Sequence, residues 1–237
     1  MKYIDEERLE AISTDAFRNA SPYPWLNPEG LLTDAGHRAL VAHAPDVSLF
    51  RGAFGRTRRY GQASHDRYVL DYEPDLPIDR CWHDFVAELD CAPYRDFVSR
   101  LFGVGSFNTR LHWHYTPDGC SVSPHCDADR KLGSHIFYLN TNDDWQTGWG
   151  GQTLILDDGG RFGHRSAPAF QDFDQRIPAR SIGNHSLLFA RVGHSWHGVE
   201  PIACPPDRYR KAFIVVFERA GGWLGAVRGL VASGGAV

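Results

Sequence analysis

Two short segments of this 237-residue chain carry side chains able to bind a transition metal: His125-Cys126-Asp127 and Ser195-Trp196-His197-Gly198-Val199. Two histidines and one carboxylate can occupy one face of an iron(II) ion, leaving the opposite positions open for a co-substrate and dioxygen. Along an extended segment the side chains of residues i and i+2 point the same way, so His125 and Asp127 can come from one strand with Cys126 directed away. The third ligand, His197, must then come from a distant strand, which a closed β-barrel supplies. Farther on, Arg210 heads the apolar run Ala212 to Phe217.

A His-x-Asp triplet alone is weak, because a chain with 12 histidines is expected to contain one by chance. Its weight comes from the order of the elements around it. An aromatic-rich strand is followed by the triplet, the strand Ile136-Phe137-Tyr138-Leu139-Asn140, the pair Gly150-Gly151, a second histidine before a short apolar segment, and a basic residue opening the last strand. This order resembles the iron(II)- and 2-oxoglutarate-dependent dioxygenase superfamily, most closely its prolyl-hydroxylase-like branch, over roughly residues 106 to 219.

The resemblance implies His125, Asp127 and His197 as iron(II) ligands, with 2-oxoglutarate and dioxygen as co-substrates. It places Arg210 where the family has the base that pairs with the far carboxylate of 2-oxoglutarate, a task that suits a guanidinium because it stays charged and presents two parallel donors. Tyr115 and Tyr138 match tyrosines lining that pocket in relatives. Arg210 lies thirteen residues past His197, more than is usual in the branch, so Arg208, of the same strand parity, competes for the role. Asp127 stands where related halogenases have a small residue that leaves room for chloride, which argues for hydroxylation. His112-Trp113-His114 has the His-x-His spacing that opens a cupin metal motif, but the glutamate cupins need does not follow.

The elements that must position these residues follow from composition and pattern. With 42% apolar content and 237 residues, the chain is long enough for one sizeable core, and the expectation is a single domain over 1–237, with helical support and N-terminal strands in 1–105 and a barrel core in 106–219. Leu9, Ile12, Ala16 and Phe17 have helical spacing within Glu6 to Asn19; Leu31 to Ala44 reads as a second helix, and Asp79 to Phe102 as one or two more with a break at Pro93. The proline-rich Ser21 to Pro28 reads as a connector. Strand-like pieces surround Arg51 and Tyr68-Val69-Leu70. In the second half, strands are expected at Thr109–Tyr115, Val122–Asp127, Ser134–Asn140, Thr153–Leu156, Ser186–Ala190, Gly198–Ile202 and Arg210–Phe217. The first of these alternates Leu111, Trp113 and Tyr115 against Arg110, His112 and His114, so one set faces the pocket and the other the supporting layer. Residues 159–179 are too polar and too rich in Gly and Pro to assign. Helices first and strands afterwards predict a mainly β fold with flanking α, a double-stranded β-helix (jelly roll) barrel buttressed by N-terminal helices.

The net charge of −4 gives no reason to expect nucleic acid or an anionic membrane as partner, although the basic run Arg56-Thr57-Arg58-Arg59 is unexplained. Five cysteines without a Cys-x-x-Cys pair read as reduced thiols, and the acidic N-terminus has no apolar signal core, so a cytoplasmic protein is expected. The expected function is hydroxylation of a small molecule such as an amino acid or biosynthetic metabolite, favoured by the absence of an appended peptide-binding module. The alternatives are prolyl-hydroxylase-like modification of a polypeptide residue and a non-catalytic metal-binding barrel. Substrate identity and oligomeric state are not legible.

Overall fold

The computed structural model of the chain describes residues 1–220; residues 221–237, the last part of the expected 1–237 domain, lie outside the described residues. The first helical pattern resolves into α1 (Glu6–Ala11) and α2 (Thr14–Arg18), because the Ser13 side chain accepts from the Ala16 N–H and starts a new helix. Thr33 caps α3 (Asp34–Ala42) in the same way. The stretch Asp79 to Phe102 divides into α4 (Arg80–Leu89) and α5 (Ala92–Phe102). The break falls at Asp90 and Cys91, and Pro93 sits in the first turn of α5, where its missing N–H leaves no helical bond unmade.

Eleven strands follow in chain order: β1 (Trp25–Leu26), β2 (Arg51–Ala53), β3 (Arg67–Asp71), β4 (Phe107–Thr116), β5 (Val122–His125), β6 (Lys131–Tyr138), β7 (Leu154–Asp157), β8 (Gln175–Pro178), β9 (Ser186–Ala190), β10 (His197–Val199) and β11 (Arg210–Arg219). They form a seven-stranded sheet, ordered β1-β9-β6-β11-β4-β3-β2, and a four-stranded sheet, ordered β5-β10-β7-β8, with every pairing antiparallel. This is the expected jelly roll, mainly β with helices on one side.

Most strands fall within a few residues of expectation, and three differences bear on the site. β5 stops at His125, so Asp127 lies beyond the strand, and β10 covers only His197–Val199. Within 159–179 the segment Gln175–Pro178 pairs with β7 as an exposed edge strand, whose polar sequence hid it. The proline-rich loop does more than connect: Trp25 and Leu26 pair with Phe189 and Leu188, and the buried Tyr23 hydroxyl donates to the Trp196 carbonyl at 2.7 Å.

The large sheet has two unlike faces. Trp113 and Phe213 are register partners on β4 and β11 with ring centroids 4.8 Å apart, and they meet Trp82 and Phe85 of α4 at centroid distances of 5.0 to 5.7 Å. Phe137, Val215 and Phe217 continue this core toward α5. On the opposite face, Ile136, Ile214 and Val216 line a cavity of about 260 Å³ between the sheets, and Ile136 and Ile214 also belong to or pack on a second core that joins Tyr138, Ile155, Phe189 and Ala212. Among the described residues, no helix is long and apolar enough to cross a membrane.

Candidate active site

His125 and His197 are direct register partners across β5 and β10, which sets their rings 4.3 Å apart between centroids. Opposed side chains in an antiparallel pair are the closest neighbours a sheet offers, so the ladder itself brings the two imidazoles together. The Nδ1 atoms lie 3.0 Å from the carbonyls of Ser123 and Ser195 respectively. A carbonyl there accepts, so each ring carries its proton on Nδ1 and keeps the Nε2 lone pair for another partner.

Asp127 reaches the same point by a different route from the one its i+2 spacing suggests. It stands in the turn after β5, where its backbone carbonyl accepts from the Arg191 Nε at 3.0 Å. Its carboxylate accepts from Lys131 Nζ at 2.6 Å and from the Ser134 hydroxyl at 3.4 Å. Candidate ligand atoms of His125, Asp127 and His197 lie within 4.8 Å of one another, and all three residues are buried. Cys126 turns its thiol toward the Gly193 carbonyl.

The protonation states suit a divalent cation. Burial pushes the Asp127 carboxyl up, but Lys131, His197 and the two hydrogen bonds outweigh it and hold the group below its ordinary value. Burial lowers His125 well below the usual imidazole range, helped by His197, His65 and Arg58; His197 is also lowered by burial, against the pull of Asp127. At neutral pH the site therefore presents two neutral imidazoles and one carboxylate, a donor set that fits iron(II) and leaves an open cavity beside it.

Arg210, the first residue of β11, shares strand parity with Ile214 and Val216 and faces the cavity, where it is buried. Its Nε donates to the Gly151 carbonyl at 2.5 Å and its Nη2 to Thr153 Oγ1 at 3.0 Å. Gly151 has φ of +87°, and a Cβ there would meet the Arg210 Cδ at 3.2 Å, so glycine is needed for the carbonyl to approach. Tyr138 backs this arrangement: its hydroxyl donates to Thr153 Oγ1 at 2.9 Å, and the Arg210 guanidinium lies 5.5 Å from its ring centroid. Arg208 is exposed in the preceding turn, 3.7 Å from Asp207, and does not line the cavity.

Tyr115 does not join the site. Its hydroxyl donates to the Pro45 carbonyl at 3.0 Å and its ring stacks on Phe50, in the core beneath the helices. The physical reason is strand alternation: Leu111, Trp113 and Tyr115 go with the apolar helix side, and Arg110, His112 and His114 take the cavity side. The His-x-His pair is thus a neutral part of the cavity wall. His112 is pushed down to about 3 by burial, with Lys131 and Arg110 adding, and His114 accepts from the Arg67 Nε at 3.2 Å.

Sequence reasoning missed the polar lining of the cavity around the triad. It is strongly cationic. Arg51 and Arg110 share Asp71, Arg130 is paired with Glu218, and Lys131 is paired with Asp127. Arg58 and Arg67 also line the cavity, and among the described residues neither is paired with a carboxylate. The signal for Arg58 was the unexplained basic run at 56–59.

No family model matches the sequence, and no curated protein matches it at a significant level. Among solved structures, the chain is similar to a prolyl-4-hydroxylase from Pseudomonas putida, at 20% identity and a TM-score of 0.65 over 90% of this chain and 100% of that one. It is also similar to a prolyl hydroxylase from Trichoplax adhaerens in complex with a hypoxia inducible factor oxygen degradation domain peptide fragment (15% identity, TM-score 0.63, covering 90% of each chain). A third likeness is to a non-heme alpha ketoglutarate dependent carbocyclase from nogalamycin biosynthesis (13% identity, TM-score 0.59, covering 93% of this chain and 91% of that one). The chain has the fold of the prolyl-hydroxylase-like 2-oxoglutarate and iron(II) oxygenases.

Proposed function

We propose that this protein is an iron(II)- and 2-oxoglutarate-dependent dioxygenase that hydroxylates a small molecule. The observation that carries the reading is the convergence of two neutral imidazoles and one ionised carboxylate on one end of a cavity whose neighbouring wall holds a buried arginine. Iron(II), held by His125, Asp127 and His197, would supply the activation of dioxygen that lets one oxygen atom enter the substrate while 2-oxoglutarate gives succinate and carbon dioxide.

The residues of this chain do the positioning. The carbonyls of Ser123 and Ser195 lock each ligand histidine in the tautomer that keeps Nε2 free. Arg210, itself fixed by Gly151 and Thr153, is oriented to take the far carboxylate of 2-oxoglutarate as a charge-assisted pair. Tyr138 acts through Thr153 as a positioning residue and reserves that hydroxyl's orientation. The apolar Ile136, Ile214 and Val216 give the cavity floor a surface that limits water around the reacting carbon.

The limited cavity supports a small-molecule substrate over a polypeptide, and the presence of a carbocyclase beside prolyl hydroxylases among the similar folds keeps both substrate classes in play. With Asp127 as the third ligand, the position that halogenation would need for chloride would be taken by its carboxylate. Incubation with a metabolite and peptide library, iron(II), 2-oxoglutarate and isotope-labelled dioxygen tests the reading by mass spectrometry. Succinate and a product heavier by one labelled oxygen should form in about equal amounts, with no chlorinated product when chloride is added. Product that has lost two hydrogens without gaining oxygen would keep the metal site and overturn hydroxylation. Absence of succinate with every substrate, despite bound metal, would favour a binding module.

A further inference from the structure

Arg58 and Arg67 are the cavity-wall cations that neither an internal carboxylate nor the co-substrate accounts for. Arg67 is held rigidly: its Nε donates to His114 Nε2 at 3.2 Å and its Nη1 to the His65 carbonyl at 2.6 Å, which leaves Nη2 without an internal acceptor. Arg58 makes no side-chain hydrogen bond among the described residues, and its Nε is buried without a partner. A buried guanidinium donor left unpaired, as at Arg58, is costly, and a second cation lining the same cavity adds mutual repulsion to that cost. Nothing in the fold repays it.

The location is informative. Arg58 and Arg67 line the same cavity as His65, His125, Asp127 and His197. Burial, then the nearby charges of Arg58, Arg51 and Arg56, lowers Arg67 to about 10, so it stays cationic at neutral pH; Asp66 and Asp127 act on Arg67 and Arg58 only from beyond ion-pair distance. Arg210 lies on another strand, held by Gly151 and Thr153, and is taken up by the proposed co-substrate.

We propose that Arg58 and Arg67 form a second anion site that binds the carboxylate of the substrate, so that the molecule oxidised is a small carboxylic acid anchored beside the metal triad. This rests on the oxygenase reading for its catalytic meaning, though the anion site exists independently of it. A carboxylate fits better than a bulkier anion for two reasons. The free fork of Arg58 matches its two oxygens in one plane, and a cavity of about 260 Å³ must also admit 2-oxoglutarate. The polar wall thus fixes one end of the substrate, and the apolar residues Ile136, Ile214 and Val216 receive its carbon skeleton.

The test uses metal-free full-length protein and thermal unfolding, with acetate and N-acetylglycine as probes, each beside its neutral amide and beside chloride at equal ionic strength; methyl phosphate is the phosphate arm. In an Arg210→Gln background, which removes the co-substrate anchor, the acids should still raise the melting temperature and the amides should not. Adding Arg58→Gln and Arg67→Gln should abolish the rise, and Arg58→Gln alone should leave the melting temperature without acid unchanged or higher, because an unneutralised cation is removed. Should Arg210→Gln fail to fold, the same arginine pair replaced in the wild-type background should remove part of the acid effect. Once a substrate is found, each single replacement should raise its half-saturating concentration by about 10- to 100-fold, the effect of losing one charge-assisted pair. Acid stabilisation that persists without Arg58 and Arg67, equal stabilisation by amides, or a response to methyl phosphate alone would overturn the proposal. Loss of the visible band of iron(II) with 2-oxoglutarate in the Arg58→Gln/Arg67→Gln protein would also overturn it, by assigning the pair to the co-substrate. A missing band in wild-type protein instead defeats the oxygenase reading and leaves the acid-binding result standing.

Discussion

β4 and β11 present their helix-facing side chains as a nearly continuous aromatic layer, with Trp113 and Phe213 fully buried against Trp82 and Phe85. One residue along in either strand, the side chains become Arg110, His112, His114 and Arg210, facing a cavity. The same backbone ladder therefore carries stability on one side and chemistry on the other. On the helix side, free energy comes from burial and ring packing; on the cavity side, charge is held in place without full compensation, which is tolerable only because the other face is so well packed.

That contrast is broken most completely at the three proposed metal ligands. His125→Ala, Asp127→Ala and His197→Ala should each abolish turnover and the visible band formed anaerobically with iron(II) and 2-oxoglutarate, with the fold retained by circular dichroism. Full activity in the His197 variant would refute the assignment. On the opposite face, Trp113→Ala should lower unfolding free energy by about 3–5 kcal/mol in urea titrations, whereas the cavity-lining Ile214→Ala should cost less than half of that, about 1–2 kcal/mol. Equal costs would mean that the two faces share the stability after all.

Within the cavity face, Arg210→Ala should raise the 2-oxoglutarate requirement by about 10- to 100-fold and Arg208→Ala should leave it nearly unaltered, measured by initial rates against co-substrate concentration. The reverse ranking would shift the register of β11 by two residues. The smallest effect is a pH slope. Burial pushes His135, on the helix face, down to about 3, so the unfolded chain binds a proton below about 6.5 that the folded protein refuses. Its contribution to stability is present above about pH 6.5 and is lost progressively as pH falls toward 3. His135→Gln, which keeps an acceptor for the Tyr94 hydroxyl, should flatten the stability curve across that window by at most one proton, about 1.4 kcal/mol per pH unit.

His125, Asp127, His197 and Arg210 could be singled out because the order of motifs and strands around them resembles a known family, and the structure places all four around one cavity. The structure places Tyr115 on the helix side of its strand, away from the cavity. Alternation establishes that Leu111, Trp113 and Tyr115 share a face, yet only the helices packed on Trp113 show which face it is. Asp127 lies beside the two histidines although its strand has ended, since Lys131 and Ser134 hold its carboxylate and the distant Arg191 holds its backbone carbonyl, a contact no local pattern encodes. Gln175–Pro178 was invisible as a strand because an exposed edge needs no apolar residues. Arg58 belongs to a polar loop whose inward direction no periodicity encodes.

A chain of formal net charge −4 places seven of its 25 lysines and arginines around one cavity, with Asp71 and Asp127 as the carboxylates among the lining residues. The molecule as a whole repels anions weakly while the cavity draws them in, and field lines gathered by its low-dielectric walls reach outward by about one Debye length, roughly 8 Å at physiological salt. Ionic strength should then act on arrival more than on departure. Stopped-flow association of 2-oxoglutarate should slow steeply as salt is added, with dissociation changing much less, so that encounter rather than residence is what the arrangement of charge accelerates.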